Sequence, residues 1–108
     1  MNHEKAIREL KKRLYKHLGK VLDKIIIFGS AARGSATPAS DIDVMIILND
    51  DLVEVNWRIE DEIIDLTYPI ELEDDVVFDL KVMGKRDIQG KYRYMPFVEH
   101  VMKEGIIV

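Results

Sequence analysis

The sequence predicts a single α+β domain in which helices cover a small β-sheet. Three observations lead there: an amphipathic stretch opens the chain, short runs of apolar residues alternate with it, and the order reads helix, strand, strand, helix, strand, helix. At 108 residues, 47% hydrophobic and 33% charged, the chain is long enough for one core and too short for a second lobe. No repeat, low-complexity tract or linker divides it, so residues 1–108 are read as one domain.

Each element has a local cause. From His3 to Leu18, Ile7, Leu10, Leu14 and Leu18 recur at three- and four-residue spacings while Lys5, Arg8, Lys12 and Lys16 share another side, which is an amphipathic helix ended by Gly19. Ile25 to Phe28 reads as a short buried strand stopped at Gly29. The segment from Gly29 to Ser40, rich in Gly, Ala and Ser and containing Pro38, is expected to be a loop with at most a brief helical turn. Ile42 to Leu48 is a second strand. Asn49, Asp50 and Asp51 then offer capping side chains to a helix carrying Leu52, Val55, Ile59, Ile63 and Leu66, with Trp57 as a core anchor or a partner contact and Pro69 as its end. Val76 to Met83 is a third strand and Gly84 to Gly90 a connection. Pro96 opens a last helix bearing Phe97, Val101 and Met102, and after Gly105 the run Ile106 to Val108 adds a terminal strand.

Charge is unevenly placed. The 16 basic and 20 acidic side chains leave a net charge of −4, yet residues 1–20 hold seven Lys or Arg against two Glu, and residues 50–75 hold eleven Asp or Glu against Arg58 alone. Both stretches read as solvated helix faces, and the net acidity counts against a nucleic-acid partner bound through the basic first helix. With no cysteine, disulfides, thiolate nucleophiles and Cys-based zinc sites are excluded. The longest apolar run falls far below the roughly 20 residues that cross a bilayer, and the N-terminus has no apolar signal core, so no membrane role and a cytoplasmic location are expected. His3, His17 and His100 are too scattered for a metal site and read as surface residues. Lys91, Tyr92, Arg93 and Tyr94 mix base and aromatic, a pattern that suits packing and snorkelling or stacking on a nucleobase or single strand.

The chemistry is concentrated in Phe28-Gly29-Ser30-Ala31-Ala32-Arg33-Gly34, followed after five residues by Ser40-Asp41-Ile42-Asp43. A strand that ends in Gly-Ser and enters a helical turn presents unpaired backbone N–H groups, and Gly29 has no Cβ to hold a phosphate away from them. Ser30 adds a hydroxyl donor, and Arg33 lies on the same side of the turn. Asp41 and Asp43, two apart at the start of a strand, project from one face and repel unless a cation sits between them; hard oxygen ligands of this kind suit Mg²⁺ or Mn²⁺. Asp79, a charge within Val76-Val77-Phe78-Asp79-Leu80-Lys81-Val82, is the candidate third carboxylate that orients and deprotonates an attacking hydroxyl. Asp65 is its rival, in a helical stretch crowded with acids.

These residues resemble the signature of the minimal nucleotidyltransferases, the small branch of the DNA polymerase beta superfamily, and the likeness extends loosely to Pro96-Phe97 and Glu104-Gly105-Ile106. The resemblance implies a nucleotidyltransferase fold with a small mixed sheet flanked by helices, ATP or another nucleoside triphosphate as donor, and two Mg²⁺ ions. It places Gly29, Ser30, Arg33 and Ser40 at the nucleotide, and Asp41, Asp43 and Asp79 at the metals and the chemistry. Similar proteins are often encoded beside a helical ribonuclease toxin of the HEPN class and act as antitoxin by moving AMP onto a toxin tyrosine. An inert subunit that neutralises its partner by covering it is the alternative, and an oligomer is open in either case.

Overall fold

Alternation along the two central strands divides the apolar residues between two faces, and the rest of the fold follows from covering both. The computed structural model describes residues 1–108. Its elements are α1 (Glu4–Leu18), a 3₁₀ turn (Gly19–Val21), β1 (Leu22–Phe28), α2 (Gly29–Arg33), β2 (Ile42–Leu48), α3 (Trp57–Asp74), β3 (Phe78–Gly84), α4 (Lys85–Gln89), α5 (Pro96–Glu104) and β4 (Ile106–Ile107). The sheet order is β3-β2-β1-β4. β1 runs antiparallel to β2 and β4, and β2 runs parallel to β3 through the α3 crossover.

On one face Ile25, Ile27, Ile42, Val44, Ile46 and Leu48 pack against Ile7, Leu10 and Leu14 of α1 and Ile59, Ile63 and Ile70 of α3. On the other, Ile26, Phe28, Met45 and Ile47 meet Ile88 of α4 and Val98 and Val101 of α5. Each such side chain, fully buried, contributes about 1.5–3 kcal/mol. The α1–α3 layer is the thicker one, and its seam brings the basic and acidic stretches together: Lys5 pairs with Asp74 at 3.4 Å and Arg13 approaches Glu73 at 3.9 Å. The two charged segments are therefore neighbours across one seam.

Several boundaries differ from the sequence reading, each for a tertiary reason. The first strand starts at Leu22 because β2 is long enough to pair with it from Leu48 onward. The helix after β2 is capped by Asn56, whose side chain accepts from the N–H of Arg58 at 3.1 Å. Asn49 instead donates to the Lys20 carbonyl at 2.7 Å, and Asp50 accepts from the Arg86 N–H at 3.1 Å, capping α4 within the expected 84–90 connection. Pro69 lies inside α3; the carbonyl it leaves without a donor belongs to exposed Asp65, where water can reach it, and buried Ile70 anchors the turns beyond. Trp57 is 66% exposed, with Arg58 over its ring at 5.5 Å, and is no core anchor. Val98 and Val101, not Phe97 and Met102, carry the buried side of α5. His3 is half-buried with an unbonded Nε2, unlike exposed His17 and His100. No helix is long and apolar enough to cross a membrane.

Candidate active site

Register brings the chemical residues to one end of the sheet. Phe28 at the end of β1 pairs with Asp43 near the start of β2, and Asp43 pairs on its other side with Asp79 near the start of β3. Strand alternation puts Asp43 and Asp79 on the same face as Met45 and Ile47, with α5 on that side. Asp41, one residue before β2, is exposed, and its charge is felt at Asp43.

Gly29 is the hinge of this arrangement. Its φ of +69° lies in the left-handed region, and a Cβ there would run into the Asp43 carboxylate, with Asp43 Cγ only 3.1 Å away. The space left by the missing side chain is thus filled by Asp43, a closer constraint than the room for phosphate inferred from sequence. From Gly29 the chain enters α2, whose first turn has no side-chain cap. The first N–H groups of a helix have no acceptor within it, and those of α2 follow directly on Gly29, which abuts Asp43.

The remaining residues differ in how closely they join. Ser30 is half-buried in the first turn of α2. Arg33 is exposed at the far end of α2 and forms no ion pair. The Ser40 hydroxyl accepts from the Thr37 N–H at 3.0 Å, fastening the turn that delivers Asp41. Asp65 lines a shallow surface with Glu9, Lys12 and Lys16 of α1, across the sheet from Asp43 and Asp79, so it stands apart from this group.

Electrostatics mark Asp43. Burial first, and then the negative charges of Asp79 and Asp41, push its carboxyl above the usual range, with Lys81 opposing them. Sequence reading passed over Lys81, whose Nζ is 3.2 Å from Asp79. The signal was available, since residues two apart on a strand share a face. Asn2 was not foreseeable: its side chain accepts from the Ala36 N–H at 2.8 Å and its own N–H donates to Ala31, pinning the loop after α2 to the N-terminus. No three acidic or histidine side chains close into a complete metal cage. Two neighbouring carboxylates and a flanking third are instead a partial set of hard oxygen donors, which fits a cation that keeps water and phosphate among its ligands.

A glycine turn into a short helix, set beside strand carboxylates on a mixed sheet, is consistent with a nucleotidyltransferase. Residues 4–103 match the family described as the nucleotidyltransferase domain, and the chain belongs to it. It is 34% identical, over 100% of its own length and 99% of the other's, to a Methanocaldococcus jannaschii protein named "putative protein adenylyltransferase". It also superposes on the crystal structure of a "putative nucleotidyltransferase" from Sulfolobus solfataricus with a TM-score of 0.52, covering 96% of this chain and 82% of that one at 24% identity, a likeness of fold.

Proposed function

We propose that this nucleotidyltransferase moves AMP from ATP to a hydroxyl of a protein acceptor, a tyrosine of a HEPN-type toxin, in a Mg²⁺-dependent reaction. The observation that carries the reading is the register Phe28–Asp43–Asp79, which aligns the Gly29 turn with two carboxylates across three adjacent strands. The name of the Methanocaldococcus jannaschii relative supports a protein acceptor and an adenylyl group.

In this reading the N–H groups of α2 and the Ser30 hydroxyl hold the triphosphate, with Arg33 as a further phosphate contact and Ser40 keeping the loop in place. Asp41, Asp43 and Asp79 would hold the divalent cation, which supplies charge neutralisation at the phosphates when bound. Asp79 also accepts the proton of the attacking hydroxyl. The acceptor oxygen forms a bond to the α-phosphorus, the bond from that phosphorus to the bridging oxygen breaks, and pyrophosphate leaves.

Because ATP and cation complete each other's ligand set, Mg²⁺ and ATP together are expected to raise the melting temperature more than either alone. At about one hundred times Kd the stabilisation is about 2.7 kcal/mol, or more than ~10 °C for a domain of this size. Asp41→Ala is expected to remove most of that joint shift in a thermal melt. An unchanged shift in the variant contradicts the proposed site.

A further inference from the structure

The free edge of β3 lies in a slot. β3 is the last strand of the sheet and pairs only with β2. Its ladder starts with the Ile42 N–H donating to the Val77 carbonyl at 2.8 Å, so by the alternation of a parallel pair the N–H and C=O groups of Leu80 and Val82 point away from β2. The first outward N–H, that of Phe78, is taken by Glu71 of α3 at 2.8 Å; Leu80 and Val82 have no such partner. Proteins normally cover or blunt a bare edge. Here it borders a cavity of about 520 Å³, walled by Glu60 and Ile64 of α3, Phe97 of α5, and Leu80, Lys81 and Val82 of the strand itself. Ile64 is 50% exposed and Phe97 38%. One end of the slot is Lys81, whose ammonium touches Asp79.

The geometry points to an acceptor-docking site: an extended, basic, hydroxyl-bearing segment of the acceptor protein adds to β3 as a fifth strand and delivers its hydroxyl to Asp79. This rests on the nucleotidyl-transfer reading above. An added strand lies about 4.8 Å from β3, and a side chain on the Asp79 face of it stands beside that carboxylate, while its neighbours in sequence turn towards Ile64. Charge selects the occupant. Of the two charged groups in the slot wall, Lys81 is already paired with Asp79 while Glu60 forms no ion pair, and exposed Asp61 and Glu62 follow it on α3 outside the wall, so the complementary segment is basic. A second copy of this chain is disfavoured, because pairing two β3 edges about a twofold axis sets two acidic α3 helices against each other.

The test uses the whole chain and a capped peptide, Lys-Thr-Val-Tyr-Val-Thr-Lys, together with the same peptide N-methylated on alternate residues in one phase or the other. Strand addition predicts that one phase of methylation weakens binding about tenfold or more and the other leaves it. It also predicts slower amide exchange at Leu80 and Val82 on binding. Val82→Pro removes an outward N–H that the sheet does not use, and is expected to lose the peptide while keeping wild-type ATP affinity. Ile64→Glu on the slot wall is expected to do the same, and serves if the proline variant does not fold. Equal binding by both methylated peptides, or unchanged exchange at Leu80 and Val82, overturns the docking site. Edge protection that arises without peptide, in a dimer broken by Val82→Pro, overturns it in favour of self-association. Absence of ATP binding by wild type would instead strike the nucleotidyl-transfer reading, so the two failures are distinct.

Discussion

Asp43→Asn is expected to lose nucleotidyl transfer by about a thousandfold or more and, at the same time, to melt at a higher temperature than the wild-type protein without ligand. The loss follows from removing the carboxylate that sits between Gly29 and Asp79, if metal-ion stabilisation of developing charge is worth several kcal/mol. The gain follows from the same position. In the folded chain the Asp43 carboxyl is raised by burial and by Asp79 and Asp41. A carboxyl whose folded pKa exceeds its unfolded one favours folding when protonated; that stabilisation is complete below the unfolded pKa and is lost as pH rises through the folded one. Wild type should therefore show a fall in melting temperature as pH rises above the ordinary aspartate pKa of about 3.9, a fall that the variant lacks. Melting curves of both proteins as pH is raised, beside a transfer assay, check both halves. A variant that is less stable at neutral pH would show that Asp43 is held by favourable contacts and not against repulsion.

The second large effect is at Gly29. Val at this position meets a left-handed φ that costs an ordinary residue about 1–2 kcal/mol, and more for a branched one, before any clash. Its Cβ would also displace the Asp43 carboxylate. Gly29→Val is thus expected to lower the melting temperature by roughly 5 °C or more and to abolish ATP and Mg²⁺ binding together. From sequence alone Gly29 matters only for the approach of phosphate; the folded chain adds a cost to stability. Arg33→Ala, which removes an exposed side chain and leaves the backbone donors, is expected to weaken ATP binding less. Calorimetric titration of ATP and a thermal melt check both variants. Wild-type stability and affinity in Gly29→Val would refute the hinge role.

What could be read from the sequence was local. Gly29 to Asp43 is one contiguous stretch in which turn, hydroxyl and paired carboxylates declare themselves by spacing, and the apolar runs of β1 and β2 leave little choice but buried strands. The limits lay in what distant residues do to one another. Asp79 was named for being a charge in an apolar strand, but its place opposite Asp43 depends on a parallel register set by the α3 crossover, which no spacing records. Asn49, Asp50 and Asp51 offer the same capping chemistry as Asn56; only the folded chain decides that Asn49 goes to Lys20 and Asp50 to α4. Trp57 is apolar by type, yet it falls at the first turn of α3, outside the stripe of Ile59, Ile63 and Ile70 that meets the sheet. The open edge of β3 has no counterpart in composition at all, because an edge is a property of strand order.

Nucleotide transfer with Asp79 as the group that takes the acceptor proton is tested by following label from α-labelled ATP onto a co-purified protein partner. Wild type and Asp79→Asn are compared in the presence of Mg²⁺, with ATP affinity measured on the same preparations. The variant keeps the shape of the side chain and loses its charge, so nucleotide held through Gly29, Ser30, Asp41 and Asp43 should still bind. Labelled partner is expected with wild type and none with Asp79→Asn, with similar ATP affinity for both. Equal labelling by the two proteins would contradict the role of Asp79, and a wild-type protein that binds its partner tightly yet transfers no label would contradict the enzyme reading in favour of a covering subunit.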